Sequence, residues 1–500
     1  MSGIAAVQTG AGWNVRSIES PVVSKSQFDL SSIIESYERS RDRNPRVSAV
    51  IASAEMVSDT VYANAAALET AFPAASNSGK CGKVGSAGNY TLNLSNGSSY
   101  TQTPNLMGYL RTGVSTTGYT TTNFAPASLT NTQPAQDGVQ LTKPFRAYGC
   151  MLETNNGIQG LSGYSLSGAM MQSSTGRVIV PTDEPEPILR CIGSSLGYVM
   201  NVDFGDEMGF RSIVDPAITS NTGSPYYLTR QAFLGAAAGG INAVKLDFSQ
   251  FGGRKKRLIQ FVLYQDTTLT DFRIKEPSSY FAAPASPRIW LLTDSLGGTA
   301  FLGNMADAYP SVLQDVTGVP DIINLFETGT GFLNKGAGNA WRTHKEKLQY
   351  MLQCPQYANP DLIILPMSIN DVGLPGLTGA MVDCINFALA TSPGVPILVP
   401  GTTCRNALAD QTASIASEQI GAAAVASLGS ALVRFVPMMT DTPQAIRGDG
   451  NIDAPAGNGN ADLMYRNGDQ VHWGSQGHLI FARDILGPKI ATVLRDFVQA

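Results

Sequence analysis

The strongest constraint on the fold is an alternation, in the second half of the chain, between short apolar runs and segments of helical periodicity. Five apolar runs follow Pro287, at residues 289–292, 322–326, 362–367, 397–399 and 433–436. Helical patterns lie between and after them, at about 299–316, 341–352, 376–390, 411–429 and 475–497. Crossovers of this length connect parallel strands, so we predict a three-layer α/β (flavodoxin-like) domain with a five-stranded parallel sheet over residues 286–500.

Residues 76–285 have the patterning of a β domain, which makes the chain a multidomain protein. Clusters of Ser, Thr, Gly and Asn separate short apolar runs, for example 177–180 and 243–248. Phe272 and Ile274 alternate with charged neighbours, as in a strand with one buried face. Many short strands with turn signals and little helix predict a jelly-roll-like β-sandwich, and proline-rich residues 277–287 end it.

The first 75 residues contain two segments with a helical tendency. Leu30, Ile33, Ile34 and Tyr37 recur at helical spacing, and residues 47–72 are rich in Ala and Val. We predict that residues 1–75 form a partly helical attachment or oligomerisation segment. The alternative is an irregular cap on the next domain.

Charge and hydropathy exclude several classes of partner. The formal net charge is -5 and charged residues make up only 15% of the chain, so we expect no nucleic-acid binding. The sequence contains no run of 18 apolar residues, so it predicts no membrane span. The cysteines lack C-x-x-C spacing, so they indicate no metal site and imply no disulfide. Because the N-terminus lacks the pattern of a Sec signal, we expect either a cytoplasmic protein or an extracellular or virion-associated one that leaves by another route.

Three sets of polar residues lie where strands are predicted to end or the last helix to begin. Ser295 follows the first predicted strand, Asn370 follows the third, and Asp469 and His472 precede the last helix. A serine hydroxyl needs a base within hydrogen-bond reach, and that base needs a group that fixes its tautomer. Of the three histidines, only His472 has an acidic residue three positions earlier. Backbone N–H groups at Ser295 and at a neighbouring strand end, with the Asn370 amide, would stabilise an oxyanion.

Four short blocks in this region occur in the order found in SGNH (GDSL-like) hydrolases, and residues 288–500 resemble that family. The blocks are Thr293–Leu296, Asn324–Gly329, Ser368–Asp371 and Asp469–His472. The resemblance implies that Ser295 is the nucleophile, His472 the base and Asp469 the residue that orients it. It also implies an oxyanion hole formed by Ser295, Gly329 and Asn370, with no metal and no organic cofactor.

Two positions differ from the usual family pattern. Thr293 and Ser368 replace glycines that normally relax tight turns or leave room near the site. Neither replacement removes a group that takes part in the chemistry. His478, which follows the last block, is interpreted as structural.

Other motifs in the chain favour simpler interpretations. Residues 193–197 match G-x-S-x-G, but the apolar run after Ser195 predicts a strand where that motif requires a helix. The glycine-rich segment 329–336 lacks the G-K-[ST] of a phosphate-binding loop. Residues 449–453 and 457–462 are rich in Asp and Asn, but their spacing does not match an EF-hand calcium site, so we expect a polar loop.

The resemblance implies ester hydrolysis through a Ser-His-Asp acyl-enzyme. A β-sandwich before an SGNH domain resembles the arrangement of carbohydrate esterases, so the first expectation is removal of O-acetyl groups from a polysaccharide, with the β domain holding the glycan. The low-charge front half also resembles a phage tail spike or fibre, which implies a bacterial surface glycan as substrate and a homotrimer. The alternatives are a lipase or thioesterase of the same family, and a non-catalytic glycan-binding adhesin.

Overall fold

A computed structural model describes the chain in segments. These are residues 3–9, 12–18, 33, 56–77, 81–86, 89–95, 98–102, 110–112, 116–124, 145–148, 150–155, 158–162, 176–192, 198–203, 211–213, 241–246, 248, 254–263, 268–281, 286–298, 308–353, 357, 359–465 and 470–499. Among these residues, no helix is long and apolar enough to cross a membrane.

The N-terminal part contains more strand than the sequence predicts. Strands β1 (Gly3–Thr9) and β2 (Gly12–Ile18) form an antiparallel pair. A four-stranded sheet follows, with strand order β3-β4-β5-β6 and a helix α1 after its first strand. Its elements are β3 (Met56–Tyr62), α1 (Ala65–Ala71), β4 (Cys81–Ser86), β5 (Asn89–Ser95) and β6 (Tyr100–Gln102).

The helical expectation for residues 47–72 is therefore wrong over Met56–Tyr62, where β3 lies. Val57, Thr60 and Val61 are β-branched and fit a strand. Helix α1 begins only after Asn64, whose side chain accepts a hydrogen bond from the Ala67 N–H at 2.9 Å. The predicted helix around Leu30–Tyr37 lies outside the described residues, except for Ile33.

Two antiparallel sheets make up the described part of residues 110–275. The first has the order β10-β11-β18-β13-β16-β7, with β8 also paired to β18, and the second has the order β15-β14-β17-β12-β9. Their strands are β7 (Leu110–Thr112), β8 (Tyr119–Asn123), β9 (Arg146–Tyr148), β10 (Met151–Asn155), β11 (Ile158–Ser162), β12 (Arg177–Thr182), β13 (Ile188–Ile192), β14 (Tyr198–Asp203), β15 (Arg211–Ile213), β16 (Ile241–Leu246), β17 (Arg257–Leu263) and β18 (Thr268–Lys275).

Side chains of both sheets belong to one hydrophobic cluster. Phe261 of β17 and Phe272 of β18, for example, lie with ring centroids 6.3 Å apart. The jelly-roll-like connectivity and the domain boundaries at 75 and 285 stay predictions.

The C-terminal sheet is the predicted five-stranded parallel sheet. Its strand order is β20-β19-β21-β22-β23 and every pairing is parallel. The strands are β19 (Arg288–Thr293), β20 (Asp321–Phe326), β21 (Leu362–Ile364), β22 (Ile397–Pro400) and β23 (Val433–Val436). The helices are α2 (Tyr309–Thr317), α3 (His344–Gln353), α4 (Leu377–Thr391), α5 (Leu408–Ser427), α6 (Ala461–Met464), α7 (Ser475–Ile480) and α8 (Gly487–Gln499).

Helices cover both faces of this sheet, which explains why its strands are continuously apolar. Ile289 and Leu291 of β19 belong to one hydrophobic cluster, together with residues of α2 and α8. Trp290 and Leu292 belong to a second cluster, together with residues of α3 and α4. Because the five strands are parallel, their carboxyl ends lie at one edge of the sheet, and Ser295 follows one of these ends.

A buried arginine joins the β region to the region of the parallel sheet. Arg177, at the start of β12, is only 1% exposed. Its guanidinium donates to Gln314 Oε1 at 2.6 Å, to the Ser311 carbonyl at 2.7 Å and to Asp315 Oδ1 at 2.7 Å, all on α2. The same group donates to Gln260 Oε1 of β17 at 2.7 Å, so it links the second antiparallel sheet to α2.

Candidate active site

A short turn places Ser295 at the carboxyl end of β19. The strand ends at Thr293, and residues Ser295–Gly297 form a single 3₁₀ turn. Asp294 caps this turn, because its Oδ1 accepts a hydrogen bond from the Leu296 N–H at 2.8 Å. A side chain at position 297 would collide with that of Thr293, so the turn requires glycine there. Ser295 is 8% exposed, at the floor of the site.

Thr293 connects the turn to the neighbouring strand. Its hydroxyl donates to Asn324 Oδ1 of β20 at 2.7 Å. The Asn324 amide in turn donates to the Gly297 carbonyl at 3.0 Å. These two hydrogen bonds hold the Ser295 turn against the neighbouring strand.

The structure brings Ser295 and His472 together although 177 residues separate them in the chain. His472 Nε2 lies 2.9 Å from Ser295 Oγ, which is hydrogen-bond distance. The segment before His472 is held in place, since the carbonyl of Gln470 accepts a hydrogen bond from the Asn406 N–H at 2.7 Å. Gln470 itself has a φ of 58°, which is uncommon for a residue other than glycine. Asp469 lies outside the described residues, so its role stays a prediction.

Ser368 organises the third block. Its hydroxyl donates to Asp294 Oδ2 at 2.5 Å and accepts a hydrogen bond from the Asn370 N–H at 3.0 Å. The Asn370 side-chain amide lies 2.9 Å from Ser368 Oγ, 3.2 Å from the Thr330 carbonyl and 3.3 Å from Asp294 Oδ2. Asn370 is thus fixed beside the Ser295 turn, and its two side-chain N–H groups are shared among three acceptors. Donation to an oxyanion would replace one of these long bonds.

The loop that carries Gly329 is held by Asp371. Gly329 has a φ of 75°, in the region that favours glycine. The Asp371 carboxylate accepts backbone hydrogen bonds from Phe332, Leu333 and Asn334 at 2.6, 3.2 and 2.9 Å. Burial raises the pKa of Asp371, and the three N–H groups act against that rise. The acidic residue of the third block therefore fixes the loop that follows Gly329.

Two cationic groups lie in the same region, the half-buried Arg342 and the buried Lys347. Glu327, 3% exposed, accepts hydrogen bonds from the Arg342 N–H and guanidinium at 2.7 and 2.6 Å. Lys347 of α3 is completely buried. Its ammonium donates to the Thr293 carbonyl at 2.5 Å and to Thr330 Oγ1 at 2.8 Å.

An exposed tryptophan lies beside the Gly329 loop. Trp341 is 39% exposed, and its backbone N–H donates to the Lys335 carbonyl at 2.9 Å. A side chain placed at Gly336 would meet the Trp341 ring, and one placed at Gly329 would approach Gly336. The indole is therefore close to the proposed oxyanion hole while part of its surface remains free.

The two other histidines are buried and neutral. His478 Nδ1 accepts a hydrogen bond from the Tyr309 N–H at 3.0 Å, as expected for the structural role predicted from the sequence. Burial, with a smaller contribution from the charge of His472, lowers the pKa of His478 to about 3. His344 Nε2 lies 2.9 Å from the Pro366 carbonyl, and burial lowers its pKa to about 3 as well. Neither ring is placed to act as the base for Ser295.

Sequence reasoning missed Lys347, Trp341 and the role of Asp371. A signal for Lys347 existed, because helical periodicity places it on the same face as His344, Leu348 and Met351, which are all buried. A lysine on an apolar helix face indicates a specific partner. The contact of Asp371 with the backbone of residues 332–334 depends on loop conformation and has no comparable signal.

No family model and no curated protein matches this chain. Several solved structures are similar to it. The salicylyl-acyltransferase SsfX3 from a tetracycline biosynthetic pathway has a TM-score of 0.49 and 12% identity, over 72% of this chain and 97% of that one. A family two carbohydrate esterase from Cellvibrio japonicus has a TM-score of 0.47 and 14% identity, over 76% of this chain and 99% of that one.

A putative GDSL-like lipase from Bacteroides ovatus has a TM-score of 0.41 and 12% identity, over 65% of this chain and 85% of that one. All three likenesses are remote, at 12 to 14% identity.

Proposed function

We propose that this chain is a serine esterase, a carboxylic ester hydrolase that acts through an acyl-enzyme on Ser295. The observation that carries the proposal is the 2.9 Å separation of Ser295 Oγ and His472 Nε2. When Nδ1 carries the ring proton, Nε2 accepts the hydrogen bond from the serine hydroxyl and is ready to take its proton. Asp469 is the proposed acceptor of the Nδ1 proton.

In the first half of the reaction, Ser295 Oγ attacks the ester carbonyl while His472 Nε2 takes the hydroxyl proton. The carbonyl π bond breaks and leaves negative charge on the substrate oxygen. The N–H groups of Ser295 and Gly329, with the side-chain amide of Asn370, are the proposed donors to that oxyanion. Collapse of the intermediate breaks the ester C–O bond, and His472 returns its proton to the leaving alcohol.

In the second half, a water molecule attacks the acyl-enzyme. His472 takes one proton from the water and then gives it to Ser295 Oγ as the acid is released. The serine and the imidazole return to their starting states. The cycle consumes one water and needs no redox or metal chemistry for its atoms to balance.

The proposed substrate is an O-acetyl ester on a polysaccharide. The exposed Trp341 ring beside the Gly329 loop supports this choice, since an indole face packs against the apolar face of a sugar while leaving its hydroxyls hydrated. The adjacent antiparallel sheets, linked to α2 through Arg177, would extend the glycan-binding surface. The sequence resemblance to carbohydrate esterases, which pair a β domain with an SGNH domain, supports the same choice.

We expect Trp341→Ala to weaken turnover of a polymeric substrate selectively. For release of acetate from O-acetylated polysaccharide, KM should rise about tenfold, because the loss of one aromatic contact corresponds to roughly 1–1.5 kcal/mol. For 4-nitrophenyl acetate, kcat/KM should stay within about twofold of wild type. Leu463→Ala, which truncates another exposed apolar residue, is the matched control.

An acyl-length series tests the alternative within the same assay. Fast hydrolysis of 4-nitrophenyl esters with long acyl chains, together with no acetate release from any polysaccharide, would favour a lipase or thioesterase. Absence of turnover on every ester would favour a non-catalytic glycan-binding protein.

We also propose, from the sequence, that the enzyme is extracellular or virion-associated and acts on bacterial surface glycan. A virion role implies a homotrimer. Light scattering of the full chain should then give about three times its mass of 52.9 kDa. A monomer in dilute solution would contradict the trimer without affecting the esterase proposal.

A further inference from the structure

Lys347 connects the two segments that carry the proposed oxyanion donors. One acceptor of its ammonium is the carbonyl of Thr293, two residues before Ser295. The other is the hydroxyl of Thr330, the residue after Gly329. Thr330 Oγ1 in turn donates to the Glu327 carbonyl at 2.7 Å, at the end of β20. A single side chain thus fixes the nucleophile segment relative to the Gly329 loop.

Acidic groups predominate around this ammonium. The charges that act on it are the carboxylates of Asp294, Glu327 and Asp371 and the guanidinium of Arg342. With Lys347, two cations face three carboxylates. Without it, one cation would face three. An oxyanion that forms on the substrate adds a further negative charge beside this cluster, so the lysine charge limits an otherwise unfavourable repulsion.

We propose that Lys347 is a positioning residue for the oxyanion hole, which ties the Ser295 segment to the Gly329 loop and supplies positive charge beneath the developing oxyanion. This inference rests on the proposed esterase function. It assigns to a helix on one face of the sheet a role in the chemistry at the sheet's carboxyl edge.

The energetics of burial argue against a purely structural role. Removing an ammonium from water costs several kcal/mol even after the protein relaxes around it. At this position of α3 the neighbours Leu348 and Met351 are buried apolar residues, and a methionine would fill similar volume without that cost. The penalty is visible in the lysine itself, since burial lowers the pKa of Lys347 to about 8.

The neighbouring His344 cannot replace this charge. Its ring is buried against Phe332, with centroids 4.8 Å apart, and burial together with the charge of Lys347 keeps it neutral. Arg342 is committed to Glu327. Lys347 is therefore the cation that contacts both the Thr293 carbonyl and the Gly329 loop.

The test compares three variants by their kinetics on 4-nitrophenyl acetate. Lys347→Met should lower kcat about 100-fold with KM within about threefold, because the interaction matters mainly in the transition state. Lys347→Arg keeps the charge, so its kcat should be at least about tenfold higher than that of Lys347→Met. Lys345→Met is the matched control on the same helix, where Lys345 forms an ion pair with Asp383, and it should stay within about twofold of wild type.

The pH profile provides a readout that a merely structural role would not change. The lysine charge is present below the lowered pKa and is lost as pH rises through it, so wild-type kcat should fall by about tenfold from pH 7 to pH 9.5 after subtraction of uncatalysed hydrolysis. In Lys347→Arg the decrease should be absent over this range, because a guanidinium stays charged. The groups that shape this titration are Asp294, Glu327, Asp371 and Arg342.

Each outcome decides the inference. A kcat of Lys347→Met within about threefold of wild type overturns it, and so do equal losses in folded Lys347→Met and Lys347→Arg. If Lys347→Met does not fold, the wild-type profile decides, and a kcat that stays level or rises up to pH 9.5 overturns the inference.

Labelling of Ser295 by a fluorophosphonate separates this question from the esterase proposal. Labelling with unchanged Lys347→Met kinetics means that only the lysine role is wrong. No labelling and no turnover mean that the esterase proposal itself is wrong.

Discussion

Ser295→Ala should remove ester hydrolysis almost completely while the protein stays folded. We expect kcat on 4-nitrophenyl acetate to fall by at least about 10⁴-fold, because the change removes the hydroxyl that lies 2.9 Å from His472 Nε2. The change removes one oxygen atom, so the melting temperature should change by less than about 2 °C. Steady-state kinetics and calorimetry on the two proteins measure both quantities.

A fluorophosphonate probe followed by mass spectrometry identifies the reactive serine directly. The labelled peptide should contain Ser295, and labelling should disappear in Ser295→Ala. Ser195→Ala is the matched control, because Ser195 lies in the G-x-S-x-G match. We expect no label on Ser195 in the wild-type protein and unchanged labelling of Ser295 in Ser195→Ala. Full activity in Ser295→Ala would refute the proposed mechanism, and loss of labelling in Ser195→Ala would move the nucleophile to the β region.

The parallel sheet was predictable because each of its strands is buried on both faces. Ile289–Leu292 reads as a continuous apolar run since alternate side chains enter different hydrophobic clusters. Three crossover helices lie within a few residues of their predicted bounds, for example Leu377–Thr391 against 376–390. The first was predicted from about residue 299, but residues 299–307 lie outside the described part of the chain. The meeting of Ser295 and His472 followed from the same reasoning, because loops after parallel strands share one edge of the sheet.

The first part of the chain was less predictable for a physical reason. Met56–Tyr62 is followed by an alanine-rich segment, and local propensity alone does not separate strand from helix there. Its strand conformation depends on pairing with Cys81–Ser86, a contact that local sequence does not encode. Within the site, the same limit applies to the role of Asp371, which depends on the conformation of the loop at 332–334.

Asp371→Ala should affect stability and catalysis together. The substitution leaves the backbone N–H groups of residues 332–334 without their acceptor in a partly buried loop, which should lower the free energy of unfolding by about 3–5 kcal/mol. The same loop begins at Gly329, so the Gly329 N–H, a proposed donor to the oxyanion, would no longer be fixed. We therefore expect kcat to fall about 100-fold. Denaturant unfolding at pH 7 and steady-state kinetics on 4-nitrophenyl acetate measure the two effects.

Asp383→Ala is the matched control, because that aspartate is exposed and forms a surface ion pair with Lys345. Its loss should change the free energy of unfolding by less than about 1 kcal/mol and leave kcat unchanged. For Asp371→Asn, the free energy of unfolding and kcat should lie between those of wild type and Asp371→Ala. The single amide oxygen can accept from only part of the loop, and the amide N–H₂ would point at backbone N–H groups that are themselves donors. If Asp371→Ala keeps wild-type kcat in spite of lowered stability, then the Gly329 loop is held by other contacts and the acidic residue of the third block serves the fold alone.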